Sequence, residues 1–158
     1  MRALVQRVSS ASVEVGGEVV GSCGRGLLVL LGVGQKDEEA VARRVWDKVR
    51  RLRIFPDADG RTNLSLEDVA GGVLLVSQFT LYADCRRGNR PSFTDAADPE
   101  RAATLYERFC ELAEEDLGGD RVGRGIFGAN MRVSLVNEGP FTVMVDSDDL
   151  GRSGRGEG

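Results

Sequence analysis

The sequence predicts an α/β fold in which a pair of mixed sheets is covered on one side by two amphipathic helices. Two short apolar runs bounded by glycine, 27–31 and 73–76, are typical of strands that are buried on both faces. Two longer segments, 37–52 and 98–117, carry apolar residues at helical spacing. Placing both helices on one side of the sheets would bury all of these apolar surfaces.

Strands are predicted throughout the first part of the chain. Residues 2–15 mix β-branched and polar types without helical spacing, which predicts a long strand over that range. Gly16-Gly17 predicts a hairpin turn, and residues 18–21 predict the returning strand. The apolar run 27–31 follows a glycine-rich turn and predicts the third strand.

The first helix is predicted to begin at Asp37, which we expect to cap it. Apolar residues recur along one face at helical spacing: Val41, Val45, Trp46, Val49 and Leu52. The segment 43–53 holds six basic residues and one acid, which gives it a local charge of +5. Two interpretations of this charge stay open, a solvated outer face or a surface that faces phosphate groups.

The second helix is predicted to begin at Asp98, a capping residue that is followed by proline in the first helical position. Its apolar face consists of Ala102, Leu105, Tyr106, Phe109, Cys110 and Ala113. Gly118-Gly119 predicts its end. Residues 95–120 carry nine acids and two bases, so we expect this helix to face away from any polyanion.

Alternating apolar and polar residues predict two strands near the C-terminus, on either side of a compact turn at residues 137–140. Residues 1–147 are predicted to form a single domain. Residues 148–158 are predicted to form a flexible tail, because residues 151–158 include no apolar side chain.

The composition excludes several classes of function. The 158 residues include no histidine, which excludes Ser-His-Asp and Cys-His triads and histidine-ligated zinc or haem. The three cysteines are widely spaced and odd in number, which is typical of reduced thiols in a cytosol. The N-terminus lacks the apolar run of a signal peptide, so we expect a cytoplasmic protein.

The charge pattern limits the kinds of partner. A net charge of −4 argues against a uniformly basic surface that coats nucleic acid, but it permits a local basic patch. Nineteen of the 21 basic residues are arginine. This bias fits either a GC-rich genome or phosphate binding by guanidinium groups.

Three polar or glycine-rich segments interrupt the strands and are candidates for a functional site: 77–80, 125–131 and 137–142. No histidine is available to activate Ser77 or Thr80, so strand-end hydrogen bonding and a nucleophilic role both stay open for these hydroxyls. The glycines in the other two segments would either let a ligand touch the backbone or simply allow a bend.

Five segments together resemble the bacterial D-aminoacyl-tRNA deacylases. They are Met1–Val8, Val76–Asp84, Asn89–Phe93, Phe127–Met131 and Asn137–Thr142. The resemblance runs in order from Met1 to about Ser147, which is nearly the whole chain. It depends most on the Ser-Gln-Phe-Thr motif and on the Asn-x-Gly-Pro-x-Thr motif that follows it, and it implies a three-layer β/β/α fold.

The resemblance implies a homodimeric enzyme without metal or cofactor that hydrolyses D-aminoacyl-tRNA and glycine-mischarged tRNA. In the family, the Gly-Pro of the second motif is a cis peptide that enters the partner subunit's active site. We therefore expect Gly139 and Pro140 to reject L-amino acids by steric clash. Arg7 would brace this turn, Met131 would pack near it, and Asn137 belongs to the same binding set.

The resemblance further implies that Ser77, Gln78, Phe79 and Thr80 form the catalytic pocket for the ester and the ribose. Phe127 would stack on the terminal adenine. Gln78 would orient the ribose 2′-hydroxyl, and backbone N–H groups near Phe79 would stabilise an oxyanion. The favoured family mechanism is substrate-assisted, with the 2′-hydroxyl helping to activate water, while an alternative makes Thr80 the nucleophile.

Two other functions stay open. One is a dimeric module that binds RNA ends without catalysis, for which the basic segments 43–53 and 86–90 would serve. The other is a conventional esterase that uses Thr80. Cys85 stands where Thr is common in the family. Phe141 stands where the family usually has Val, so the packing behind the Gly-Pro turn and the tightness of chiral rejection are also open.

Overall fold

Eight strands and two α-helices make up the part of the chain that the structure describes, residues 1–151 of a computed structural model. The strands are β1 (Arg2–Val15), β2 (Glu18–Cys23), β3 (Gly26–Gly32), β4 (Phe55–Pro56), β5 (Thr62–Leu64), β6 (Gly72–Ser77), β7 (Val122–Arg124) and β8 (Arg132–Asp146). The helices are α1 (Glu39–Arg51) and α2 (Pro99–Leu117). Short 3₁₀ turns span Phe79–Tyr82, Gly119–Arg121 and Ser147–Asp149.

Six strands form one mixed sheet, and its arrangement depends on β1. The strand order is β2-β1-β3-β6-β7, with β8 paired to the other edge of β1. Along its inner edge, β1 pairs first with β3 over residues 2–8 and then with β2 over residues 11–15. The β3–β6 and β6–β7 pairs are parallel and the others are antiparallel. Because one strand serves two neighbours in succession, the sheet folds over on itself.

This folding creates two hydrophobic cores on opposite faces of β3 and β6. One core lies against the helices and contains Val29, Leu75 and Trp46. The other contains Leu28, Leu74 and Val76, together with residues from the second half of β1. The predicted combination of mixed sheets and two helices is therefore confirmed, with both β layers supplied by a single curled sheet.

Two glycines allow the curled sheet to close. A Cβ on Gly21 of β2 would lie 2.4 Å from the carbonyl oxygen of Arg124, and a Cβ on Gly123 of β7 would lie 2.4 Å from that of Ser22. No real side chain tolerates such contacts, so only glycine lets these two backbones meet. Part of the high glycine content thus serves strand packing.

The two helices form where the sequence predicts them, but only one begins as expected. The Asp98 side chain accepts a hydrogen bond from the backbone N–H of Arg101, and Gly118 ends α2 with φ of 87°. Asp37 does not cap α1, because its carboxylate binds the N–H of Gly34 and the terminal amine of Met1. Glu38 therefore takes the N-cap position, and its side chain makes no capping bond.

The predicted apolar faces of both helices are packed against the sheet. In α1 the buried residues are Ala42, Val45, Trp46 and Val49. In α2 they include all six residues of the predicted face. Polar contacts also join the two helices, because Asp116 of α2 accepts hydrogen bonds from the Arg43 guanidinium and from the Trp46 indole. The basic and acidic stretches thus partly neutralise each other.

The prediction of two strands around a C-terminal turn is wrong, because β8 is one strand of 15 residues. Both of its halves pair with β1 in the same antiparallel sense. Gln6 pairs with Thr142 and Val8 pairs with Asn137, so residues 138–141 lie opposite Arg7 alone. The predicted turn is therefore a four-residue excursion from a continuous strand.

The predicted boundary of the tail falls inside a turn. The Asp146 side chain accepts a hydrogen bond from the N–H of Asp148, and Leu150 donates its N–H to the Ser147 carbonyl. Leu150 also packs against the helix-side core. These contacts place residues 148–150 with the domain, and the remainder of the predicted tail, residues 152–158, lies outside the described residues.

We expect Asp37→Asn to destabilise the fold strongly. The Met1 amine lies 2.7 Å from the Asp37 carboxylate and 2.7 Å from the Ser147 hydroxyl, and all three groups are buried. Removing the carboxylate charge leaves a buried ammonium without a counter-charge, which costs about 3–5 kcal/mol. Urea denaturation measures this loss in the free energy of unfolding.

The exposed neighbour Glu38 provides the matched control. Glu38→Gln removes a carboxylate whose side chain makes no capping hydrogen bond, so its effect should stay within about 0.5 kcal/mol. Equal effects of the two substitutions would contradict a structural role for the buried pair.

Candidate functional site

A cavity of about 560 Å³ lies at the carboxyl end of β6. Its wall combines the end of β6, the segment before α2 and the segment that leads into β8. The lining residues are Val76, Ser77, Gln78, Phe79, Phe93, Ala96, Ala97, Pro99, Ala102, Phe127, Gly128, Ala129, Asn130, Met131 and Val133. The cavity therefore brings together two of the three segments that the sequence singles out.

The chain turns sharply where β6 ends. The Gln78 N–H donates to the carbonyl of Leu31 at 2.7 Å, which extends the parallel pairing with β3 by one residue. A 3₁₀ turn then begins at Phe79, so the N–H groups of Phe79 and Thr80 have no carbonyl partner within that turn. The Phe79 ring is 56% exposed and lies edge-on to Phe93, with ring centroids 5.0 Å apart. These two rings flank the cavity mouth.

The opposite wall is shaped by glycine. Gly128 has φ of +78°, which favours glycine and turns the chain back toward β8. A Cβ on Gly125 would lie 2.6 Å from the Met131 sulfur, so the absence of a side chain there leaves room for the thioether. Gly125 also donates its N–H to the carbonyl of Leu75 at 2.9 Å, which ties this wall to β6.

Tyr106 of α2 supports both walls from behind. Its buried hydroxyl donates to the Leu75 carbonyl at 2.8 Å, and its ring lies 6.1 Å from that of Phe127. Burial raises the pKa of this phenol far above its usual range, so it stays a neutral hydrogen-bond donor. Tyr106 packs beside Phe127, which is half-buried and lines the cavity.

The polar groups of the cavity are uncharged. Among its lining residues only Ser77, Gln78 and Asn130 have polar side chains, and none of the three ionises near neutral pH. Thr80 lies beside the cavity, and its hydroxyl accepts a hydrogen bond from the Gln78 side-chain amide. No acid or base in residues 1–151 hydrogen-bonds to Thr80. The site can position a polar ligand and stabilise an anion, but its own side chains supply no proton acceptor.

The third segment forms a separate structure around Arg7. The Gly139-Pro140 peptide bond is cis, and both residues are exposed. The Arg7 guanidinium donates to the carbonyls of Glu138 and Gly139 at 3.2 and 3.3 Å and lies 4.7 Å from the centre of the Phe141 ring. A third bond, 2.6 Å long, joins Arg7 to the carbonyl of Ile54.

Asn137 secures the base of this excursion. Its side-chain amide donates to the backbone carbonyls of Arg7 and Phe141, at 3.0 and 3.1 Å. The aromatic ring of Phe141 packs against the helix-side core and supports the guanidinium. A valine at that position would lack this ring, so Phe141 adds a contact under the turn.

One chain does not bring this turn into its own cavity. The excursion is on β8 opposite Arg7, whereas Ser77 is three strands away on β6, in register with Ala3 of β1. This places the two features about 14 Å apart across the sheet and about 13 Å apart along the strands. Gly139, Pro140, Arg7 and Asn137 therefore lie apart from Ser77 in the same chain.

Comparison with known proteins identifies the family. A family model described as D-Tyr-tRNA(Tyr) deacylase matches residues 4–146. The chain belongs to this deacylase family. It is 56% identical over 150 residues to a D-aminoacyl-tRNA deacylase of Thermotoga petrophila, covering 95% of this chain and 99% of that protein. It is 59% identical over 147 residues to one from a Roseiflexus species, covering 93% and 94%.

Solved structures agree on the fold of the deacylase family. A structure titled "c-Myc DNA Unwinding Element Binding Protein" matches with a TM-score of 0.88 and 38% identity, over 92% of this chain and 98% of that one. Another, titled as a probable eukaryotic D-amino acid tRNA deacylase, matches with a TM-score of 0.82 and 21% identity, over 91% and 97%. The second supports the fold alone.

Several cavity residues of this deacylase family member are not among the predicted site residues. Phe93 and Asn130 lie within two of the segments that resemble the family. Their position in those segments is the sequence signal that could have identified them as cavity residues. Ala96, Ala97 and Ala102 carry no such signal, because small apolar side chains are typical of any core. Ala96 and Ala97 reach the cavity because the loop before α2 is fixed beside β3, where Ala97 donates its N–H to the carbonyl of Val33 at 2.9 Å. Ala102 reaches it from the first turn of α2.

Within residues 1–151, no cluster of three acidic or cysteine side chains is arranged to hold a metal ion. Neither α-helix of that part of the chain has the length and apolar character that crossing a bilayer requires.

We expect Cys85 to be the single reactive thiol of the native protein. Burial raises the pKa of Cys23 to about 11 and that of Cys110 to about 12, so both stay protonated near pH 8, where the thiolate is the reactive form. Cys85 is exposed in the loop that follows the cavity. Titration with a disulfide reagent should modify one thiol per chain in the native protein and three thiols per chain after denaturation.

Cys85→Ser supplies the control, because it should remove the fast reaction of the native protein and leave two equivalents after denaturation. Fast modification of a second thiol in the native protein would show that the half-buried Cys23 or the buried Cys110 is accessible.

Proposed function

We propose that this protein hydrolyses the ester between a D-amino acid and the 3′-terminal adenosine of tRNA, releasing the free amino acid and tRNA. The observation that carries the proposal is the uncharged, aromatic-flanked cavity at the end of β6 in a chain of the deacylase family. Relatives above 50% identity carry the name D-aminoacyl-tRNA deacylase. The same substrate places the enzyme in the cytoplasm, where tRNA is charged.

The cavity suits an aminoacyl-adenosine. Aromatic side chains stack on nucleic-acid bases, and Phe127, held by Tyr106, offers a ring for the adenine. The Gln78 amide, which already donates to a hydroxyl in Thr80, is placed to bind the ribose 2′-hydroxyl. Ser77 then lies nearest the ester at the end of β6.

The chemistry we propose depends on the substrate's own hydroxyl. The ribose 2′-hydroxyl assists removal of a proton from water, whose oxygen attacks the ester carbonyl carbon. The N–H groups at the start of the 3₁₀ turn, those of Phe79 and Thr80, stabilise the negative oxygen of the tetrahedral intermediate. The bond to the ribose 3′-oxygen then breaks, and that oxygen takes up the proton. Thr80 has no base beside it, which disfavours a nucleophilic role.

We further propose that the active unit is a homodimer in which the Gly139-Pro140 turn of one chain enters the cavity of the other. The turn and the cavity are too far apart to meet within one chain. The outer edge of β8 has no pairing strand in residues 1–151, and it exposes Leu135, Val136 and Met144. An exposed strand edge with apolar side chains is suited to contact with a second copy.

Rejection of L-amino acids follows from this arrangement. A turn held by Arg7 and Asn137 presents fixed backbone atoms, and a steric clash with an L-side chain discriminates more strongly than a missing attraction. Glycine has no side chain to clash, so glycyl-tRNA should also be hydrolysed. In this proposal, the backbone atoms of the Gly139-Pro140 turn exclude L-amino acids, and no side chain is needed for chiral proofreading.

We expect hydrolysis of D-Tyr-tRNA to fall sharply when the terminal adenosine lacks its 2′-hydroxyl. Loss of an acid–base group slows such reactions by about 10²–10⁴-fold. Thr80→Ala should cost less than about tenfold, because it removes only a hydrogen-bond partner of Gln78. Single-turnover rates with the two tRNAs measure both effects.

L-Tyr-tRNA serves as the control substrate and should remain intact, while glycyl-tRNA should be cleaved. Equal rates on the normal and deoxy-ended tRNAs, together with an inactive Thr80→Ala variant, would instead make Thr80 the nucleophile of a conventional esterase. A wild-type protein that leaves D-Tyr-tRNA intact would overturn the proposed function.

We expect subunits with different defects to complement each other. A Cβ on Gly139 meets no atom within 4 Å of its own chain, so Gly139→Glu should preserve the fold but block a partner's cavity. Gln78→Ala disables the cavity itself. Random mixing of these two inactive proteins should restore about a quarter of wild-type activity, since half the dimers are mixed and each has one intact site.

Gly119→Glu is the matched control, because a Cβ there also meets nothing within 4 Å and the residue precedes β7, which lies at the opposite end of the strand order from β8. It should keep full activity. A mixture of the two inactive proteins that stays inactive after subunit exchange would overturn the proposed shared site.

A second candidate function is nucleic-acid binding without catalysis. It is favoured by the 38% identical structure whose title names a DNA-unwinding-element binding protein. A protein that binds D-Tyr-tRNA but never hydrolyses it would support this candidate.

A further inference from the structure

A basic loop adjoins the cavity and has no part in the chemistry proposed above. It spans residues 84–92 and is closed by two backbone hydrogen bonds between Asp84 and Ser92, 2.7 and 3.0 Å long. The loop surrounds its own cavity of about 610 Å³, which is lined by Asp84, Arg86, Arg87, Arg90 and Ser92. Its fixed base means that its side chains extend from a defined place on the surface.

Within residues 1–151, only Arg86 of the three arginines has an acidic partner. The Arg86 guanidinium donates twice to the Asp84 carboxylate, with both distances 2.8 Å. This pairing holds the pKa of Asp84 at about 2, so the carboxylate remains ionised and satisfied. Arg87 and Arg90 are exposed and form no ion pair within residues 1–151. Two positive charges are thus available at the cavity.

This loop continues directly from the aromatic mouth of the first cavity. Ser92 lines the basic cavity, and the next residue, Phe93, lines the uncharged one. Phe93 also contacts Phe79 at the mouth. Sites for single-stranded nucleic acid combine aromatic rings that bind bases with a cationic groove that follows the backbone. The two adjoining cavities have this arrangement.

The basic segment of α1 is the alternative surface, and its position argues against it. Arg43 contacts Asp116 near the end of α2, whereas the first cavity is lined by Ala102 near its beginning. Fourteen residues of helix separate these points by about 21 Å. Arg43 and Arg50 are moreover bound to acids, which leaves fewer free charges than the sequence suggests.

We propose that Arg87 and Arg90 bind the phosphodiester backbone of the RNA strand whose 3′-terminal adenosine enters the cavity. The proposal rests on the proposed function, because it is the tRNA end that brings a phosphate strand to this mouth. The uncharged cavity recognises the aminoacyl-adenosine, and the arginine loop recognises the nucleotides before it. Arginine suits this role because its planar guanidinium binds phosphate oxygens in pairs.

The test compares two substrates that differ in phosphate. The double variant Arg87→Gln/Arg90→Gln is assayed on D-Tyr-tRNA and on 3′-O-D-tyrosyl-adenosine, which has no phosphate. We expect KM for the tRNA to rise roughly 10-fold or more, with kcat and the rate on the adenosine ester unchanged. The slope of log KM against log salt concentration should fall by about 1.4, which is the value for two contacts to a single strand.

Arg44→Gln/Arg51→Gln makes the same change in charge on the exposed side of α1 and is the matched control. It should leave KM for the tRNA unchanged. Equal losses on both substrates, an unchanged KM for the tRNA in the loop variant, or an equal rise in the control would each overturn the proposal. Circular dichroism of both variants should match that of wild type, because the Arg87 and Arg90 side chains make no hydrogen bonds in residues 1–151.

A binding measurement separates this proposal from the proposed function. Fluorescence anisotropy of a labelled RNA oligonucleotide that ends in CCA, with D-Tyr attached through an amide, reports affinity without hydrolysis. If wild type hydrolyses D-Tyr-tRNA but the loop variant binds and reacts like wild type, only the arginine proposal fails. If wild type hydrolyses neither substrate, the proposed function fails, and loss of oligonucleotide affinity in the loop variant alone would still support phosphate binding by the loop.

Discussion

The pairing of β1 along both edges is the constraint on which the rest of the structure depends. Its first half holds β3 and its second half holds β2, while β8 follows its other edge throughout. The sheet must therefore curl, which gives β3 and β6 a core on each face. The same pairing leaves residues 138–141 without partners opposite Arg7 and keeps them away from the end of β6. One strand thus determines both the cavity and its separation from the turn.

Within the site, backbone groups and neutral side chains take the place of ionisable ones. Ser77 and Gln78 are positioned by the end of a parallel strand, and Phe127 is positioned by the buried hydroxyl and ring of Tyr106. The absence of histidine in the sequence agrees with this arrangement, since the proposed proton acceptor belongs to the substrate. The charged groups lie outside, where Arg87 and Arg90 face the strand that we propose to bind.

Local signals in the sequence predict the elements well, and errors arise where a distant contact decides. Asp98 caps α2, since among residues 1–151 its side chain accepts a hydrogen bond from the Arg101 N–H alone. Asp37 is instead bound by the Met1 amine, which no local pattern reveals. Gly139-Pro140 is typical of a turn between two strands. The segments before and after it both pair with β1, however, so they form a single strand, β8. The motifs locate Ser77 and Phe127 in the cavity, while Ala96 and Ala97 enter it through tertiary contacts.

The unpaired edge of β8 affects how a newly made chain behaves on its own. The outer edge of β8 remains long, apolar and unpaired in residues 1–151. Such edges are templates for aggregation unless they are covered. A newly made chain therefore has a vulnerable edge, and the second copy that we propose to contact it would protect it from irregular assembly.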